Sequence, residues 1–285
     1  MFSQIKNFFV KLFKRLLPFW FDLTEDEIVG SVNRVYSWIP DLPDPRDWIF
    51  ADTFGKAVPK YITAAKAPSS VDLRPSLPPV VDQGQLGSCT ANAWAGDMGF
   101  LEIKASQVFS PLSRLFIYYN ERLLEGTVSS DAGAQIRDGV KSLVTYGVCS
   151  ETEWPYDVTK FSQEPSTIFY ISARMHKASS YYRLNTLDDM RSCLASGYAF
   201  VLGISVYQSF ESDAVKQTGV VSLPIQGEKR LGGHAVLAVG YDDSTQRVLC
   251  RNSWGANWGI KGYFTIPYSY LTNPSLASDF WTVVK

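Results

Sequence analysis

Cys89 stands in the run Gln83-Gly84-Gln85-Leu86-Gly87-Ser88-Cys89-Thr90-Ala91. Two remote runs, Gly232-Gly233-His234-Ala235-Val236 and Arg251-Asn252-Ser253-Trp254-Gly255, add an imidazole and a carboxamide. A thiol, a base and an orienting amide are the parts of nucleophilic catalysis through a covalent intermediate. A free thiol, with a pKa of about 8.5, is mostly protonated near neutral pH and attacks carbonyls slowly unless its thiolate is stabilised. The small-residue run from Thr90 to Gly96 predicts a helix with Ser88 as its N-cap. That places Cys89 in the first turn, where the positive end of the backbone dipole favours an anion. An imidazolium beside the sulfur is the second source of stabilisation. Only two histidines exist, and His176 lies in Ala173-Arg174-Met175-His176-Lys177 with no motif around it, so His234 is the base by elimination. Taken singly, each residue has a plainer reading: Cys89 as core filler, His234 as a satisfied core histidine, Asn252 as a turn residue, Trp254 and Trp258 as packing aromatics. Their joint spacing favours chemistry.

His234 lies 145 positions and Asn252 163 positions after Cys89, and in this order the segments resemble the papain (cathepsin-like) family of cysteine peptidases. The likeness runs from about Val71 to the C-terminus. It implies that Cys89 attacks the scissile carbonyl while His234 holds the ion pair and then protonates the leaving amine. Asn252 would keep the ring in plane, and Trp254 would shield their hydrogen bond from water, where a drier pair interacts more strongly. Gln83 would join the Cys89 backbone N–H as oxyanion hole, a donor whose loss typically costs about 2.7 to 4 kcal/mol. In a site of this type the thiol pKa falls to roughly 3 to 4, so the nucleophile is expected to be charged before substrate arrives. By the same resemblance, Gly133 in Ser130-Asp131-Ala132-Gly133-Ala134 occupies the loop that pairs with extended substrate backbone. Ala235 would line the second specificity pocket and leave room for a bulky apolar side chain. A plain helix N-cap at Asp131 is the competing reading of that run.

The departures from the family pattern are Leu86, where a structural cysteine usually precedes the nucleophile by three, and Thr90, where Trp or Tyr usually follows it. The corresponding disulfide therefore cannot exist. The implied reaction is peptide hydrolysis through a thioester acyl-enzyme. The alternative is an acyl transferase or transpeptidase that hands the acyl group from the same Cys-His-Asn site to an amine. A non-catalytic binding protein on this fold would usually lose Cys89, His234 or Asn252, and all three are present.

A chain of 285 residues, 46% hydrophobic and 14% aromatic, is ample for one large core or two lobes. A net charge of −1 gives no footprint for nucleic acid. Four cysteines and two histidines without CxxC or HxxxH spacing argue against structural zinc, and no glycine-rich phosphate loop opens a helix. No cofactor or metal is expected. With Cys89 kept free, Cys149, Cys193 and Cys250 allow one disulfide at most. Cys149–Cys193 is the expected pair, with Cys250 a buried mid-strand thiol.

Helices dominate the stretch after Cys89. One is predicted to start at Ser110-Pro111, with Leu112, Leu115, Phe116 and Tyr119 on one face and Gly126 ending it. A second is predicted from Asp131 to Gly147, and a third follows Thr186, where Asp189 completes a capping box. From Phe200 the runs turn β-rich: Phe200 to Tyr207, His234 to Tyr241, Arg247 to Asn252, Gly262 to Pro267 and Asp279 to Val284. Helices then strands read as α+β. The resemblance makes this a two-lobed papain-like fold, with a helical lobe, a β-barrel lobe and the cleft between them.

Residues 1–68 precede a peptidase domain predicted over 69–285. Ile39-Pro40-Asp41-Leu42-Pro43-Asp44-Pro45 cannot be regular helix and should run extended, as a segment lying along a groove would. Residues 60–69 read as a small-residue linker. The expectation is a propeptide or regulatory segment that occupies the cleft, and the competing reading is a packing arm outside it. Ile5, Phe8, Phe9, Leu12, Phe13, Leu16 and Leu17 fall at helical spacing with Lys6, Lys11, Lys14 and Arg15 interleaved. Such a basic amphipathic helix suits a membrane surface or a protein face equally. It makes a poor signal peptide, and no stretch is long and apolar enough to span a bilayer. Export or surface association stays open. The expected partners are peptide or protein substrates, met by a monomer.

Overall fold

Strand β5, Phe200–Tyr207, is apolar on both faces and buried along nearly its whole length, which only a strand covered on both sides tolerates. It lies inside an antiparallel seven-stranded sheet ordered β4 (Ser180–Leu184), β9 (Ala277–Val284), β5, β6 (Arg230–Asp242), β7 (Arg247–Arg251) and β8 (Tyr263–Pro267). Strand β2 (Ser70–Asp72) pairs with the far end of β6. The computed structural model describes residues 34–105 and 109–285, and the expected helix near residues 5–17 lies outside them.

The helices pack beside this sheet. Helix α2 (Cys89–Lys104) is buried all round, including Cys89, Thr90, Ala91, Asn92 and Ala93, so small side chains let β6 and β7 approach it. Gly96 shows how closely: a methyl group there would stand 3.3 Å from Arg251 Nε. Helix α3 (Arg114–Glu125) is capped by Ser113 Oγ, which accepts the Phe116 N–H, and ends at Gly126 with φ +72°. It starts later than Pro111 because Ser113 supplies the cap, while Leu112 is held in a bridge to Ser150. Helix α4 (Ile136–Thr145) starts after Asp131, since the short strand β3 (Ala134–Gln135) and Gly133 at φ +74° intervene. Helix α5 (Leu187–Ala195) carries the Thr186–Asp189 capping box.

The segment before the sheet is part of the packing. Strand β1 (Trp38–Ile39) pairs in parallel with β3, and the proline-rich stretch after it is non-helical as expected. Helix α1 (Phe50–Ala57) buries Phe50 and Phe54 completely. The Phe54 ring meets Tyr182 and Tyr198 edge-on, with centroids 5.4 and 5.2 Å away. Residues 34–285 thus form one compact unit.

The expected Cys149–Cys193 disulfide is not formed, and all four cysteines are free and buried. Cys193 Sγ instead lies 3.4 Å from the Tyr198 carbonyl oxygen, and the Cys149 thiol lies by Ser113 at the start of α3. The two thiols sit among different neighbours, so placement at a helix end and on a later helix did not bring them into bonding geometry. Among the described residues no helix is long and apolar enough to cross a membrane.

Candidate active site

The first residue of α2 is Cys89, and β6 and β7 bring the other chemical groups to it. His234 sits on β6 opposite Ile204, and Asn252 directly follows β7. His234 Nε2 and Asn252 Oδ1 are 2.9 Å apart, and the same oxygen accepts the Ser253 N–H at 2.8 Å. Trp254 stacks on the imidazole at a centroid distance of 5.0 Å and an interplanar angle of 28°. With Nε2 engaged, His234 Nδ1 has no hydrogen-bond partner among the described residues. The Cys89 thiol neighbours the Ala235 backbone N–H, one residue past His234. The nucleophile and the base strand therefore meet.

Gln83 is buried in the loop before α2. Its Nε2 donates to the Leu86 carbonyl at 3.0 Å, its Oε1 accepts from Ser253 Oγ at 2.5 Å, and its N–H donates to the Ser253 carbonyl at 2.9 Å. One loop thus ties the segment before Cys89 to the segment after Asn252. Ser88 precedes the helix as expected but does not cap it: its Oγ is taken by the Tyr156 hydroxyl at 2.5 Å and by Asn92 Nδ2 at 3.0 Å.

Residues 67–278 match the family described as papain family cysteine protease. The chain belongs to the papain family. An uncharacterized peptidase C1-like protein of Acanthamoeba polyphaga mimivirus is 42% identical over 276 residues, covering 89% of this chain and 88% of its own. Xylellain, a cysteine protease from Xylella fastidiosa, has a solved structure at TM-score 0.78 and 42% identity, covering 88% of this chain and 96% of that one. Chicken (Gallus gallus) cathepsin K is 27% identical over 258 residues, covering 85% of this chain and 68% of its own. The papain-like α+β fold and the hydrolase class, a thiol protease acting on peptides or proteins, follow from these likenesses.

In this papain-family chain a segment of its own N-terminal extension lies over the site. Ser37 Oγ donates to the Gly87 carbonyl at 2.7 Å and stands 3.9 Å from Cys89 Sγ. The Tyr36 ring meets His234 edge-on at 6.3 Å, and the Arg34 guanidinium lies 5.3 Å over the Trp254 ring while paired to Asp82 at 2.6 Å. Gly133 faces the strap backbone so closely that a methyl group there would stand 1.7 Å from the Ser37 carbonyl oxygen. Trp38 lies against two glycines: a methyl group on Gly203 would stand 2.0 Å from its Cε2, and one on Gly233 2.7 Å from its Cε3. Ala235 pairs with Gly203 across β5 and β6 and shares the Gly233 face by strand alternation.

Beyond the cleft, the Asp41 N–H donates to Asp279 Oδ2 at 2.9 Å, while its carboxylate accepts from Trp281 Nε1 at 2.6 Å and the Arg137 N–H at 3.2 Å. Asp47 pairs with Arg137 at 3.1 Å and Arg183 at 3.2 Å. Burial, and then the neighbouring Asp279, push Asp41 up to about 7.

Cys89 and His234 are fully buried, and burial pushes the thiol up to about 11 and the imidazole down to about 4. Both shifts run against the charged thiol–imidazole pair that the resemblance implies. The strap residues Ser37 and Trp38 carried no chemical motif, and only their position just upstream of the proline-rich run hinted at the groove.

Proposed function

We propose that the chain is a peptide-bond hydrolase held in a latent form by residues 34–47, with residues 1–68 as its regulatory segment and Cys89, His234, Asn252 and Gln83 as its machinery. The observation that carries the latency is the seating of Tyr36, Ser37 and Trp38 over a wholly buried cysteine and histidine. Extended substrate would take the place of the strap on Gly133, and its bulky aromatic side chain would take the place of the Trp38 indole against Gly203, Gly233 and Ala235.

Once the strap lifts, water returns and the thiol proton can pass to His234 Nδ1, the ring nitrogen without a partner among the described residues. Cys89 Sγ then forms a bond to the scissile carbonyl carbon. The carbonyl oxygen becomes an oxyanion, met by the Cys89 backbone N–H and the Gln83 amide. As the C–N bond breaks, His234 gives its proton to the leaving amine. A thioester remains. Water, losing its proton to His234, adds to the thioester carbon, and expulsion of the thiolate releases the carboxylic acid product. Throughout, Asn252 Oδ1 accepts from Nε2 and keeps the ring in orientation.

The test is hydrolysis of a fluorogenic dipeptide panel by the full chain and its Trp38→Ala variant, with Cys89→Ala as blank and an amine acceptor added in parallel. Higher activity in Trp38→Ala supports latency. Equal rates would argue against it, and aminolysis as the main product would favour the transferase reading.

A further inference from the structure

We propose that Asp131 is a positioning residue for the cleft, a carboxylate that holds the nucleophile loop and the Gly133 loop in one frame. Both of its oxygens lie 3.0 Å from the Gly87 backbone nitrogen, two residues before Cys89. The Tyr118 hydroxyl donates to Oδ1, and that hydroxyl oxygen accepts the Gly133 N–H at 3.2 Å. A continuous line of hydrogen bonds thus runs from Gly87 through one carboxylate and one phenol to Gly133, joining segments 46 residues apart in sequence.

The frame is built rather than incidental. Burial, and then the Asp131 hydrogen bond, raise Tyr118 far above the ordinary phenol range, so its proton stays in place to donate. The Arg122 guanidinium lies 3.9 Å over the Tyr118 ring and donates to the Ser130 carbonyl at 2.8 Å, next to Asp131 in the chain. Asp131 is not spent as a helix cap, because α4 begins at Ile136. Leu86 stands beside Gly87 and every cysteine is free, so no covalent link is available to do the same work.

Gly87 is gripped at both of its peptide planes, the Leu86–Gly87 plane through its N–H by Asp131 and the Gly87–Ser88 plane through its C=O by Ser37. Lifting the strap removes the second grip and leaves Asp131 as the remaining one. The orientation of Gly87 sets the Ser88–Cys89 link and hence the Cys89 N–H that would meet the oxyanion. A misplacement of about 1 Å costs on the order of 10²-fold in rate.

This inference rests on the proposed hydrolytic site, so its kinetic arm uses the full chain carrying Trp38→Ala, in which substrate reaches Cys89. Adding Asp131→Ala is expected to lower kcat by about 10²-fold, while alkylation of Cys89 by iodoacetamide, which needs no oxyanion donor, stays within about threefold. Asp131→Asn keeps one acceptor for Gly87 and should recover part of the loss. Adding Tyr118→Phe unhooks Gly133 and removes one donor from Asp131 but leaves the Asp131 grip on Gly87, so it should raise KM with kcat little changed. A second arm reads amide hydrogen exchange in the intact chain without Trp38→Ala. Gly87 should exchange at least about tenfold faster in Asp131→Ala, and Gly133 alone should do so in Tyr118→Phe. Unchanged kcat in Asp131→Ala, equal losses of hydrolysis and alkylation, or unchanged exchange at Gly87 would each overturn the proposal. If Trp38→Ala itself hydrolyses nothing, the latent-peptidase reading fails, and the exchange arm still decides the role of Asp131.

Discussion

On the proposed latency, replacing Trp38 with alanine should raise the activity of the full chain. Its side chain is 7% exposed and packs on the Gly203 and Gly233 backbone of the cleft. Truncating a buried aromatic of this size typically costs about 3 to 5 kcal/mol. Because those contacts are made with the cleft, nearly all of the loss falls on the covered state. At 1.4 kcal/mol per factor of ten, the opening equilibrium should rise by about 10² to 10³-fold or more. The ties that remain are the Arg34–Asp82 pair, the Ser37–Gly87 bond and the Asp41 cluster. Observed activity would climb until most molecules are open, so the measured gain is bounded by the latency of the starting chain. The assay is initial-rate hydrolysis of a fluorogenic dipeptide at fixed pH, paired with the rate of epoxide labelling at Cys89. Both should rise by at least about tenfold, in step. A gain under about threefold, in a variant that melts where the parent does, would mean that the indole is not what holds the cleft shut.

The raised pKa of Asp41 predicts a pH dependence for the cover. Its docked pKa is raised to about 7 by burial and by Asp279, above an undocked value of about 3.9, so docking takes up a proton. The contribution is fully present below about pH 4 and is lost as pH rises through about 7, by up to tenfold per unit. Epoxide labelling of the full chain relative to Asp41→Asn should increase from pH 5 to pH 7.5, and a flat ratio would contradict this. Asn252→Ala in the Trp38→Ala background should lower kcat about 5- to 150-fold, the equivalent of losing about 1 to 3 kcal/mol of hydrogen bonding to the ring. Phe54→Ala should destabilise the fold by about 3 to 5 kcal/mol in denaturant titration without changing the pH profile of the open enzyme. A shift of less than about 1 kcal/mol would mean that α1 is only loosely docked.

What the sequence disclosed was local or motif-borne. The bounds of β5, the left-handed Gly126 and the Thr186–Asp189 box rest on neighbours within a few residues, and their side-chain periodicity and capping chemistry are written in the chain. The segments around Cys89, His234 and Asn252 were legible through their resemblance to a family. Long-range contacts were not. Asp131 reads as a helix cap until Gly87 and Tyr118 are seen around it. The residues of the extension differ in their surroundings: Ser37 stands 3.9 Å from Cys89 Sγ and Trp38 lies against Gly203 and Gly233, whereas Phe50 and Phe54 are buried in the core. The raised thiol and lowered imidazole follow from complete burial, which no residue type near Cys89 foretells.

Phe50 and Phe54 lie only a dozen or so residues downstream of Trp38 and are seated in the core next to Tyr182 and Tyr198. A lifted strap is therefore on a leash. Its effective concentration at the cleft stays in the millimolar range expected of short tethers, however dilute the protein becomes. Latency should accordingly be unaffected by dilution or dialysis and should reset after every opening. On the proposed latency, a peptide substrate would compete with an inhibitor that never diffuses away, and permanent release would require severing the tether upstream of Phe50.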